Sequence, residues 1–71
     1  MTLQDLYQAL QEHDWFHDMS EDGEVARRGW RDWDRIRAMA EELGKPGLDL
    51  MDRYKAHVHS YGYIPKPERP E

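Results

Sequence analysis

Leu3, Leu6, Tyr7 and Leu10 recur at the i, i+3, i+4, i+7 spacing that lines one face of a helix, and the positions between them are largely polar. Thr2 and Asp5 form a capping pair in front of them, with the threonine hydroxyl placed to accept a backbone N–H and the acid set at the positive helix end. A first helix over about 3–12 follows. Val25, Gly29, Trp33, Ile36, Ala40 and Leu43 carry a second helical stripe. Ser20 is the expected N-cap of this second helix, with Glu21, Asp22 and Glu24 in its first turn, and Gly44 ends it, with Lys45-Pro46 beyond. That predicts a long helix over 20–43, against which Gly23 and Gly29 each weigh about 1 kcal/mol relative to alanine. Gly29 lies on the apolar stripe, so its expected role is to admit a bulky neighbour, Trp15 or Tyr7. Leu50, Met51, Tyr54 and Val58 form a third stripe behind Pro46, which suits a first helical turn, and predict a helix over 46–59. Residues 60–71, "SYGYIPKPERPE", hold three of the four prolines and read as an extended or disordered tail, with Tyr61 to Ile64 the part suited to fold back. The expected fold class is all-α: a small three-helix domain over 1–59 and a Pro-rich C-terminal tail over 60–71.

With 71 residues, the chain hides only roughly 60% of the surface that its unfolded form exposes. Its best core material is large rings, Trp15, Trp30, Trp33, Tyr7, Phe16 and Tyr54, each able to bury on the order of 150–250 Å². Unstapled chains of this size net only about 3–5 kcal/mol, which makes self-association a natural supplement. There is no cysteine, which removes disulfide and thiolate chemistry and fits a reducing cytoplasm. The start "MTLQDLYQAL" lacks a secretory signal pattern, and no run of 18 apolar residues occurs. The expectation is a soluble cytoplasmic protein with no membrane partner.

Charge is unevenly distributed. Residues 1–24 hold seven acids and no Lys or Arg, residues 25–45 hold six bases against four acids, and the remainder holds four of each. Asymmetry of this kind bears on partners and association rates rather than on fold. Within "ARRGWRDWDRIR", Arg27, Arg31 and Arg35 fall on one helical face, and Trp30 lies off the apolar stripe that holds Trp33. The candidate partner-binding surface is therefore the ridge Arg27, Arg28, Arg31 and Arg35 with Trp30, flanked by the acids Glu21, Asp22 and Glu24. Arginine beside an aromatic also suits phosphate contact and base stacking. A net charge of −5, with Asp32 and Asp34 inside the run, favours a protein partner, the chain itself as a homodimer included, over a nucleic acid.

"HDWFHDMSED", residues 13–22, packs two histidines, two aspartates and two aromatics into ten positions. One reading makes His13 and His17, with His57 and His59, a zinc site. The other makes the stretch the corner where one helix is pinned to the next, which fits better because a helix ending near Glu12 puts His13 and His17 on different faces. No cofactor or metal is expected. No reaction motif occurs, and a chain this short has little means of enclosing and drying a pair of catalytic carboxylates, so no enzymatic activity is expected.

Asp14-Trp15-Phe16 followed by "MSEDGEVARRG" resembles a pattern of short uncharacterised bacterial and bacteriophage proteins: an aromatic pair, a Ser-acid-acid cap, then a valine and an Arg-Gly. The likeness spans residues 14–29. It implies the setting of a small accessory protein and carries no activity with it. The expected function is that of a non-catalytic binding module with a regulatory role. Nucleic-acid binding through the arginines and metal binding through the four histidines are the alternatives.

Overall fold

A computed structural model describes residues 1–15 and 21–70, and among them are three helices and no strand: α1 (Leu3–Glu12), α2 (Gly23–Leu43) and α3 (Lys45–His59). The chain is all-α, a small domain. Each boundary has a local cause. At the start of α1 the Asp5 N–H donates to Thr2 Oγ1 at 3.2 Å and the Thr2 N–H donates to Asp5 Oδ2 at 2.9 Å, a reciprocal box that satisfies two end groups at once. At its far end the His13 N–H reaches Ala9 O at 3.0 Å, and the Trp15 indole N–H donates to Leu10 O at 3.1 Å. The carbonyl of Leu10 is one of those that a helix end leaves open, so Trp15 closes the helix as it packs.

The second helix begins at Gly23, not at Ser20, which lies outside the described residues. Its N-cap is Asp22, whose Oδ1 accepts from the N–H groups of Glu24 at 3.0 Å and Val25 at 3.2 Å. An aspartate caps as well as a serine does, and here it meets two orphan donors directly. This start also places Gly23 in the first position of the helix, where it costs less than in the interior. Gly44 serves as both the end of α2 and the entry to α3, at φ 78°, a left-handed value that a side chain would resist.

Leu6, Leu10 and Ile36 are fully enclosed, and Tyr7, Ala9, Ala40, Leu50, Met51 and Tyr54 complete the buried centre. On α2 the buried positions are Ala26, Gly29, Ile36 and Ala40, with Trp33 and Leu43 partly covered beside them. Two helices approach each other closely at Gly47. A Cβ there would lie 2.6 Å from the carbonyl oxygen of Ala40 and 2.8 Å from Leu43 Cβ, so α3 crosses α2 tightly just after the turn. Aromatic rings extend the centre toward α2. Tyr7 meets Tyr54 edge to face at 5.7 Å, Trp15 stacks on Tyr54 at 5.9 Å, and Trp15 lies 5.2 Å from Trp33.

The tail departs from the expected pattern. Tyr61 and Tyr63 are almost fully exposed and Ile64 is exposed as well, so this part does not cover the helices. It turns sharply instead. Ser60 Oγ donates to His57 O at 2.9 Å and accepts from the Ile64 N–H at 2.8 Å, while His57 Nδ1 donates to Ile64 O at 2.8 Å. The turn directs the segment after it back along α1 and α3. There the Tyr7 hydroxyl donates to Pro67 O at 3.2 Å, and Lys66 Nζ lies 5.5 Å and 5.7 Å from the centres of the Tyr7 and Tyr54 rings. Glu68 and Pro70 then reach the level of Leu3, Pro46 and Leu50 at the other end of the bundle.

Candidate interaction face on the second helix

Burial of Ala26, Gly29, Ile36 and Ala40 turns the opposite side of α2 to solvent. Arg27, Arg28, Trp30, Arg31 and Arg35 are all exposed there, as are Glu21, Asp22 and Glu24 at its start. Arg27, Trp30 and Arg31 line an open groove of about 500 Å³ together with Glu24 and Asp34. Arg28 stands one position round the helix and pairs with Glu24 at 3.8 Å, and Arg37 pairs with Glu41 at 3.4 Å. Both pairs are solvated and contribute little to stability. Asp22 has a structural role, since the oxygen that caps α2 is committed to backbone N–H groups.

Trp30 is the junction of two clefts. On one side lies the charged groove, and on the other a smaller cleft of about 180 Å³ is lined by Trp15, Trp30, Trp33, Lys55 and His59. Lys55 Nζ sits 5.6 Å from the centre of the Trp33 ring, and the imidazole of His59 meets Trp15 edge-on at 6.2 Å. The two neighbouring tryptophans differ sharply. Trp33 packs against the core, whereas Trp30 is 57% exposed. The contributions of Lys55 and His59 escape sequence reasoning, because only the packing of α3 on α2 brings them here; their i, i+4 spacing is the one trace of a shared face.

Among the described residues no group of three His, Cys, Asp or Glu side chains could hold a metal ion. His17 lies outside those residues. His13 is buried, 4.9 Å edge-on from Trp15 and 5.9 Å from Trp33, and His57 is turned to the carbonyl of Ile64. These two histidines and His59 thus have ring or backbone contacts of their own. His13 and Trp15 pin the end of α1 to the other helices, which is the corner reading of residues 13–15; residues 16–20 of that stretch lie outside the described ones.

Among the described residues no helix is long and apolar enough to cross a membrane. No family model matches the chain, and neither a curated protein nor a solved structure shows significant similarity to it.

Proposed function

We propose that this chain is a small, non-catalytic, cytoplasmic binding module, a regulatory accessory protein of a bacterium or mobile element, and that it meets a protein partner through the Trp30 face of α2. The observation that carries this reading is the placement of Trp30, 57% exposed on a regular helix between an aromatic cleft and a charged groove. A buried large apolar side chain is worth about 1.5–3 kcal/mol, a substantial share of what a chain this small has available. Three positions later Trp33 is folded in, so exposure of Trp30 is a feature of its position and not of the region. Tryptophan and arginine dominate interface energetics because they combine large, rigid contact area with hydrogen bonding, and Arg27 and Arg31 stand beside this indole.

Glu24 and Asp34 in the same groove favour a protein over a nucleic acid, since both carboxylates would oppose phosphates at the sites where the arginines would receive them. The nucleic-acid alternative keeps one supporting observation, the exposure of Arg27, Arg31 and Arg35. It requires a shift of labelled DNA or RNA at low salt that weakens steeply as salt rises, and no shift at low salt removes it.

A photo-reactive amino acid placed at Arg31 and, separately, at the exposed Asp52 of α3 tests the protein-binding reading in the native host. Adducts formed from position 31, absent from position 52 and lost on Trp30→Ala are expected. Equal adduct patterns from the two positions would contradict it.

A further inference from the structure

Two pairs of charges on the outer face of α2 are antisymmetric about one point, while Arg28 and Arg35 at the edge of that face fall on Trp33 and Ala26. Reflected through the midpoint between Trp30 and Arg31, Arg27 falls on Asp34, Glu24 falls on Arg37, Trp30 falls on Arg31, and Gly23 falls on Ala38. All eight of these residues are exposed, and they share one side of the helix. Reflection through a point along a helix is what a two-fold axis does when a helix packs antiparallel on its own copy. We propose that the occupant of the Trp30 face is a second copy of this chain, packed α2 against α2 about a two-fold axis that passes between Trp30 and Arg31. The proposal rests on the reading of that face as a protein-binding surface and names its partner.

In this arrangement each contact occurs twice. Arg27 of one copy faces Asp34 of the other, and the indole of Trp30 lies against the Arg31 guanidinium, a pairing of cation and ring face that gains when water is excluded. At the two ends Glu24 faces Arg37. Glu24 already pairs with Arg28 and Arg37 with Glu41 within each helix. The contact across the axis therefore joins two existing pairs into a row of four charges of alternating sign. Gly23 and Ala38 supply the small side chains that let two helices approach, and a Cβ built at Gly23 meets nothing within 4 Å.

Two other arrangements fail on charge. Centring the axis on Gly29 sets Arg27 against Arg31 and Glu24 against Asp34, like against like. A parallel pair in register sets every charge against itself. Opposed like charges across an interface are strongly disfavoured, so the face discriminates against both of these arrangements.

Sedimentation of the full chain over a range of concentrations, with the charge variants Arg27→Asp and Asp34→Arg, tests the proposal. The native chain is expected to pass from one copy to two as concentration rises. Either single variant sets two pairs of like charges across the axis and is expected to weaken association by at least about tenfold. Mixing the two single variants, or combining both changes in one chain, restores opposite pairs and is expected to restore the dimer. Both positions are exposed, so helical content and melting temperature at monomer concentrations serve as the folding control. A second readout uses the absence of native cysteine. Arg27→Cys and Asp34→Cys chains are expected to form a disulfide with each other when mixed. Neither is expected to do so with itself, because equivalent positions then lie about 10 Å apart along the axis.

A native chain that stays single at every concentration overturns the second-copy proposal. Trp30-dependent adducts to a different protein would in that case leave the binding-face reading standing, and their absence would end both. A dimer indifferent to the charge variants, or one that the mixture does not restore, overturns the register.

Discussion

Two faces of this small bundle present aromatic rings outward, and the chain covers only one of them. On the α1/α3 side Tyr7 and Tyr54 lie beneath the returning tail, which places Lys66 Nζ over both rings and lets the Tyr7 hydroxyl donate to Pro67 O. On the α2 side Trp15 and Trp33 are half-covered by each other and by Lys55, and Trp30 is left out in solvent. A proline-rich segment has little conformational entropy to lose, so it is an economical cover for the first face. The second face carries arginines and acids around its exposed ring, the composition of a surface to be met by another molecule.

Trp15 belongs to both faces, since it stacks on Tyr54, touches Trp33 and donates to Leu10 O. Trp15→Ala is expected to have the largest effect, a loss of about 3 kcal/mol in urea unfolding, from ring burial together with a helix-end carbonyl left without its donor. Retention of the native midpoint would show that the two faces are not joined through this ring. Removal of residues 65–71 uncovers the first face alone. The expected loss is about 1–2 kcal/mol, the combined worth of an exposed cation over aromatic rings and one hydrogen bond. An unchanged midpoint on truncation would mean that the tail covers Tyr7 and Tyr54 without stabilising them.

What the sequence reveals follows the range of the interactions involved. The helices were legible because stripes and caps are local: Thr2 with Asp5, Gly44 with Pro46, and the apolar periodicity between them. The start of α2 was displaced because Ser20 and Asp22 are both good caps within one turn, and periodicity does not choose between them. Return of the tail was not legible, since Tyr7 and Pro67 are 60 positions apart and no local pattern announces their contact. The tight crossing at Gly47 was equally hidden, because a glycine in the first turn after Pro46 reads as a boundary residue until α2 is seen lying against it. The exposed ring and its arginines could be read in advance, as their helical positions fall off the apolar stripe. Lys55 and His59 join that face only through the packing of two helices.

Substitution of Trp30 is expected to have the smallest effect on folding, and it bears most directly on the idea that this indole serves contact with a partner. Urea unfolding of Trp30→Ala is best compared with the native chain at concentrations where the native chain sediments as a single copy, since association by itself would raise apparent stability. The expected result is a free energy of unfolding within about 0.5 kcal/mol of the native value. A loss as large as that of Trp15→Ala would contradict it, and would make Trp30 part of the folded centre.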